Sequence, residues 1–206
     1  MPNEKLPFSI RCITNQDDPL FEGFASTYKD VFAGRPYFEE YTIEQIREDV
    51  WLPHVGDCII VATVEGDSES LSGGVVGLAC CHGVQKPTEP KIRDFLLSQP
   101  ELSELFDPER TIFMSELAVR FEYRKNGLGH LLILERLRWG HENGFTHYAM
   151  RTAAAESNSR RMYERIGSKL APFVQDVSED GVVSASKSRI YMYGSISDAL
   201  ALKPNT

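Results

Sequence analysis

Read for the alternation of apolar and polar positions, the chain divides into strands and helices in a regular order. Phe8-Ser9-Ile10-Arg11-Cys12-Ile13 alternates residue by residue, the period of a half-buried strand. Two helical stretches follow. The first covers about 20–32 and is halted by Gly34-Arg35-Pro36; the second opens at Thr42, whose Gln45 three residues on completes a capping box, and runs to about Trp51. The β-branched run Cys58–Val64 predicts a strand, residues 65–74 its turn and 75–82 the return strand of a hairpin. Residues 86–110, with prolines and scattered Leu and Phe, read as an insertion holding one or two short helices. A strand over 112–119 then leads through a glycine-bearing loop into a helix over 127–143, with Leu128, Leu131, Leu134 and Leu137 on its apolar face and Gly144 as its stop. A strand over 147–152, a helix over 159–166 ended by Gly167, and a hairpin of 173–177 with 189–196 around Glu179-Asp180-Gly181 complete the order. Strands interleaved with helices in this way predict a mixed α/β sheet with helices on both faces.

Composition narrows the class. At 206 residues the chain fills one core, so a single domain over 1–206 is expected, with 86–110 as its insertion and 198–206 as a flexible tail. Hydrophobic residues make up 42% and charged residues 25%, the balance of a soluble globular protein. No apolar run approaches the roughly 18 residues a membrane helix needs, and Met1-Pro2-Asn3-Glu4-Lys5 has neither the basic start nor the apolar stretch of a signal peptide. A cytoplasmic protein without a membrane partner is the reading. The net charge of −8 argues against nucleic acid, which needs clustered Lys and Arg, and suits a cationic partner. Cys12, Cys58, Cys80 and Cys81 form no C-x-x-C pair and read as reduced thiols. The five histidines have no metal-binding spacing, so no metal is expected.

The chemistry concentrates in Arg124-Lys125-Asn126-Gly127-Leu128-Gly129. A strand ends, two glycines stand two apart, and a long helix starts at once. Glycines let a ligand approach the main chain, the first helical N–H groups have no internal partners, and the helix dipole and two cations add positive charge. The turn is therefore built for a pyrophosphate. It is not a P-loop, because no Lys-Ser or Lys-Thr follows the glycines, and not a dinucleotide fingerprint, because position 132 is Leu132.

The run from Glu116-Leu117-Ala118-Val119 through Gly129 resembles the central motif of the GNAT superfamily of N-acetyltransferases: an apolar strand ending in Val, a turn, then [RQ]-x-x-G-x-[GA] and an amphipathic helix. Downstream, Asn158-Ser159-Arg160-Arg161-Met162-Tyr163-Glu164-Arg165-Ile166-Gly167 looks like the family's second motif, a short helix whose Tyr precedes Gly by four. Phe121 stands where many members have Pro, and Glu156 where a cofactor-contacting Asn is frequent, with Asn158 the nearest Asn.

The resemblance implies a mostly antiparallel sheet of six to seven strands splayed at its centre, with acetyl-CoA or another acyl-CoA as cosubstrate. Leu117, Ala118 and Val119 then present backbone groups to the pantetheine arm. Arg124, Lys125, Asn126, Gly127, Leu128, Gly129 and His130 hold the pyrophosphate, and Asn158 contacts the cofactor. Tyr163 becomes the candidate acid for the departing thiolate. Aminolysis of a thioester also needs a base for an amine whose pKa is near 10. Glu116, on the strand that reaches the thioester, is the candidate. Tyr37, Glu39 and Tyr41, aromatics among carboxylates in the loop between the first two helices, are the candidate acceptor site. The function expected is acetyl transfer to a primary amine, small molecule or peptide, by direct attack in a ternary complex. A non-catalytic acyl-CoA sensor, a transferase for a longer acyl chain, and a homodimeric assembly stay open at this point.

Overall fold

The computed structural model describes residues 8–34, 38–64, 74–86, 90–154, 158–176 and 188–202. In chain order these form β1 (Phe8–Ile13), α1 (Phe21–Phe32), α2 (Ile43–Ile46), a π-helical turn Arg47–Trp51, α3 (Leu52–Val55), β2 (Cys58–Val64), β3 (Val75–Gly83), α4 (Pro90–Leu97), α5 (Leu102–Leu105) and a 3-10 turn Pro108–Arg110. There follow β4 (Thr111–Phe113), β5 (Leu117–Val119), a 3-10 turn Phe121–Tyr123, α6 (Leu128–Glu142), β6 (His147–Ala153), α7 (Asn158–Arg165), β7 (Lys169–Asp176), β8 (Ser188–Ser195) and α8 (Ile196–Ala201). Strand pairing is antiparallel throughout except between β4 and β6, so the mixed, mostly antiparallel sheet expected from the sequence is present. The expected turn over 65–74 falls, but for Gly74, outside the described residues, as does the expected hairpin turn around Glu179-Asp180-Gly181.

The chain resolves into two compact units, Met1–Cys81 with Glu116–Arg136, and His82–Ser115 with Leu137–Thr206. In the first, β1 pairs β2, β2 pairs β3, and β3 pairs β5. Alternation along β3 decides what covers each face. Leu78 and Cys80 join Phe24, Tyr28, Trp51 and Ala118 in one cluster, on the side of α1 and the π turn. Gly77 points the other way, where an added Cβ would lie 3.1 Å from Leu128 and from Leu132 of α6. Helices therefore cover both faces of this unit's strands.

Local departures from the expected elements have local causes. The second helix begins at the predicted capping box, Thr42 accepting from the Gln45 N–H, but continues past Trp51 to Val55 through a π turn. Pro53 has no N–H for the carbonyl four residues back, which favours the wider turn. Trp51 ends fully buried with Nε1 donating to the Gln16 carbonyl at 2.9 Å. The strand expected over 112–119 is interrupted. His82 faces Phe113 and Ala79 faces Leu117, so four residues advance on one strand against three on the other, which is a β-bulge at 114–116. The apolar face of α6 is also rotated from the leucine series read in the sequence. Leu128, Leu132, Ile133, Arg136 and Leu137 are buried, whereas Leu131 and Leu134 are half-buried.

In the second unit β4 lies between the end of β3 and β6, and β6, β8 and β7 follow in that order. The 86–110 segment carries α4 and α5, and its Ile92, Leu96, Leu102 and Phe106 share a core with Phe113, Phe173 and Tyr191. Residues read as a tail from 198 are helical as far as Ala201, because Ser195 caps α8 and Ile196 and Ala199 are buried. Gly144, at φ +83, takes the left-handed turn that stops α6.

Tyr148 of β6 is fully buried with its hydroxyl 2.8 Å from Ser168 Oγ. Burial, against the opposing hydrogen bond, pushes its pKa up to about 12 from 10.0. A raised folded pKa holds its full stabilisation below pH 10 and loses it as pH rises towards 12. Raising the pH through that window is therefore expected to remove on the order of 2 kcal/mol of stability through this group alone. Urea melts at stepped pH check it: Tyr148→Phe should flatten the decline across that window, and an unchanged slope would remove Tyr148 as its source.

Candidate functional site

The bulge at 114–116 changes what the strand after it offers. Cys80 donates its N–H to the Glu116 carbonyl at 3.0 Å, and Arg120 donates its N–H to the Val76 carbonyl at 3.0 Å. Antiparallel pairing alternates, so Glu116, Ala118 and Arg120 turn their backbone groups towards β3, while Leu117 and Val119 turn theirs to the opposite edge. No strand of this unit pairs along that edge among the described residues. Of the three residues expected to face the pantetheine arm, Leu117 and Val119 thus have outward groups, and Ala118, buried and engaged with Leu78, does not.

Two arginines that the sequence pattern did not single out fix this strand. Arg136 of α6 is 0% exposed and donates Nη1 to the carbonyls of Glu116 at 3.2 Å and Cys80 at 3.4 Å, bracing the bulge from within. Arg120 clamps the strand's exit to α1. Its Nε donates to Thr27 Oγ1 at 3.0 Å, its Nη2 to Ser26 Oγ at 3.0 Å, and its Nη1 pairs with Asp30 at 2.9 Å. An open cleft of about 510 Å³ lies beside this clamp, lined by Asp30, Val31, Gly34, Phe121 and Arg124 among others.

Beyond Arg120 the chain makes a 3-10 turn and then the predicted glycine loop. Lys125 at φ +66 and Gly127 at φ +81 both take left-handed conformations, which reverse the chain just before α6. Leu131 N–H is the first to bond back into the helix, to the Gly127 carbonyl at 3.0 Å. Among the described residues no backbone carbonyl accepts from the N–H groups of Lys125, Asn126, Gly127, Leu128, Gly129 or His130. An ideal Cβ on Gly127 would have nothing within 4 Å, and Lys125 and Asn126 are exposed. His130 Nε2 is buried without a hydrogen-bond partner among the described residues. Arg124 is exposed; its Nε donates to the Val119 carbonyl at 2.9 Å and its guanidinium lies 5.6 Å from the Phe121 ring centre, with Phe121 81% exposed. A row of open donors at a helix start, beside a strand edge with free amides, fits a chain-like ligand ending in phosphates.

On the α1 side of the same unit lies a second group of polar side chains. Tyr41 donates its hydroxyl to Glu39 Oε2 at 2.9 Å, and its ring meets Tyr28 edge-on at 5.3 Å. Burial first, then the negative charge of Glu116, push the Tyr28 pKa upwards; burial and the hydrogen bond to Glu39 do the same for Tyr41. The structure thus brings together Glu116, Glu39 and Tyr41, and adds Tyr28, which reads in the sequence as one more aromatic of a buried helix face. Phe38, 67% exposed at φ +55, marks the same loop with a backbone strain that an aromatic residue rarely carries.

Tyr163 belongs to the second unit. It is buried in α7, with Tyr148 among its electrostatic neighbours, and its carbonyl accepts from the N–H groups of Ile166 and Ser168. Asn158 opens that helix, with its side chain outside the described residues, as is the whole of Tyr37. Among the described residues no cluster of His, Cys, Asp and Glu is placed to hold a metal ion, and no helix is long and apolar enough to cross a membrane.

Comparison with known proteins bears on both motifs. Residues 24–167 match the sequence profile of the acetyltransferase (GNAT) family. No curated protein matches the sequence. Among solved structures, an N-acetyltransferase from Staphylococcus aureus Mu50 superposes with a TM-score of 0.63 at 14% identity, over 92% of this chain and 99% of that one. The ribosomal-protein-S18-alanine N-acetyltransferase from Escherichia coli gives 0.58 at 12% identity, over 92% and 94%. The ribosomal-protein-alanine N-acetyltransferase from Brucella melitensis gives 0.61 at 16% identity, over 91% and 99%. At such identities the likeness is one of fold.

Proposed function

Because the chain belongs to the GNAT family of acetyltransferases, whose activity is acyl-CoA-dependent N-acylation, we propose that it moves an acetyl group from acetyl-CoA to a primary amine by direct attack. The observation that carries this reading is the continuity of open donors, from the outward amides of Leu117 and Val119 to the N–H groups of residues 125–130. The thioester supplies the activated acyl group. The chain's residues would do the rest. The outward amides of β5 orient the pantetheine arm as an added strand would, and the loop amides with Lys125 and Arg124 neutralise the pyrophosphate. The Val119 N–H is the donor available to a developing oxyanion.

Glu116 takes the proton that leaves the amine, and Tyr163 returns one to the thiolate. Glu39, Tyr41 and Tyr28 form the acceptor side, where one carboxylate and two aromatic rings suit a cationic amine on an apolar body. Tyr37 completes that loop in sequence. Incubation with acetyl-CoA and a panel of primary amines, following free thiol, tests the reading. Amine-dependent thiol release with a matching acetylated product is expected. Tight coenzyme A binding without release for any amine would overturn the transferase reading.

A further inference from the structure

Arg136 of α6 is 0% exposed, and a guanidinium keeps its charge at any depth. It follows Leu128 and Leu132 on one stripe of the helix, and the missing Cβ of Gly77 lets that stripe lie close on β3. Its Nη1 donates to the Glu116 carbonyl at 3.2 Å, which already accepts from the Cys80 N–H at 3.0 Å. One carbonyl thus takes two hydrogen bonds, one of them charged. The same peptide unit continues as the Leu117 N–H. In a trans peptide that N–H points the opposite way, to the edge along which no strand of this unit pairs among the described residues. The Val119 N–H shares the edge, but the carbonyl of its peptide unit, that of Ala118, faces Leu78 in ordinary strand pairing. Methionine would fill the stripe without the cost of burying a charge, and the Glu116 carbonyl has a partner without Arg136.

We propose that Arg136 is a positioning residue for acyl-CoA, whose charge acts through the Glu116–Leu117 peptide to make the Leu117 N–H the strongest donor on the open edge. That N–H grips an amide carbonyl of the pantetheine arm. The proposal rests on the acyl-CoA reading above and names the residue that tightens its hold on the arm. A hydrogen bond accepted by a carbonyl draws electron density from the N–H across the same peptide, and a charged donor draws more. Helix α6 then serves the cofactor twice, with open amides at its start and with Arg136 two turns on.

Arg136→Met removes the charge and keeps an unbranched side chain. Titration calorimetry should show coenzyme A bound roughly 5-fold more weakly, the order that a cooperative gain of about 10–30% in one amide hydrogen bond gives. The nucleotide 3′-phospho-ADP, which is coenzyme A without the pantetheine arm, should bind as it does to wild type. Arg136→Lys keeps a charged donor and should restore most of the loss. In the ligand-free protein the Leu117 amide nitrogen resonance should move upfield in Arg136→Met and return in Arg136→Lys. The Cys80 N–H should stay protected from exchange, because its bond to Glu116 still holds the bulge. Gly77→Ala is the second variant: its Cβ, 3.1 Å from Leu128 and Leu132, pushes α6 and Arg136 away from the strand, and the same selective loss is expected. Unchanged coenzyme A affinity in both variants overturns the proposal. Equal weakening of both ligands, or a loss that comes with an unprotected Cys80 N–H, also overturns it and leaves Arg136 a brace of the fold. A wild type that binds coenzyme A but acetylates no amine overturns the transferase reading and leaves this one standing. A wild type that binds no coenzyme A overturns both.

Discussion

Gly127→Val is expected to weaken coenzyme A binding by roughly 100-fold or more while leaving a folded protein. The Cβ itself crowds nothing, since no atom lies within 4 Å of its position. The cost lies in the backbone. At φ +81 a side chain pays about 1–2 kcal/mol, and a β-branched one more. The loop can relieve that strain only by rotating out of the left-handed region, which re-aims the N–H groups of Leu128 and Gly129. Hydrogen bonds to a charged group contribute about 1.5–3 kcal/mol each, so losing two exceeds the ~2.7 kcal/mol that corresponds to 100-fold. Titration calorimetry with coenzyme A reads the affinity. A melting temperature lower by about 3–8 °C would match the strain. Gly56→Val is the control, because Gly56 also has open space around its Cβ position but sits at φ −79. Equal coenzyme A affinity in both variants would remove the loop from the binding site.

The loop is legible in the amino-acid sequence because of how its signal is stored. The donors belong to consecutive residues, so Arg124 to Gly129 carry the whole device in six positions, and the helix start they imply is where α6 begins. The bulge is different. Met114 and Ala118 are as apolar as strand residues should be, and nothing in 112–119 marks the inserted residue, because its cause lies in pairing with β3 and in Arg136, 20 residues downstream of Glu116. Arg136 itself reads as a solvated charge on an amphipathic helix. Only the rotation of α6, set by the close approach of Leu128 and Leu132 to Gly77, turns it inward. Tyr28 is hidden for the opposite reason. Its spacing with Phe24 and Phe32 is that of a core face, and it does lie in the core, but a periodicity cannot distinguish a ring that only packs from one that also feels the charge of Glu116 and Glu39. Glu39 and Tyr41 stand out in the sequence because a carboxylate and an aromatic lie close together in a loop, although the Tyr41 ring also packs against the core.

Glu116→Gln is expected to lower kcat/KM by about 10²–10⁴, the contribution of a positioned base, with coenzyme A affinity unchanged. The amide keeps the shape and loses the capacity to take the proton. The fold should tolerate the change, because it is the Glu116 carbonyl, untouched by the substitution, that accepts from Cys80 and Arg136 and holds the bulge. Rate against pH separates this from a general loss of order. With the base removed, turnover should track the free-amine fraction and climb tenfold per pH unit up to the amine's own pKa. A variant with normal kcat/KM, or with a lowered rate whose pH dependence parallels wild type, would show that the proton leaves by another group. Glu39, already hydrogen-bonded to Tyr41, would then be the first to test.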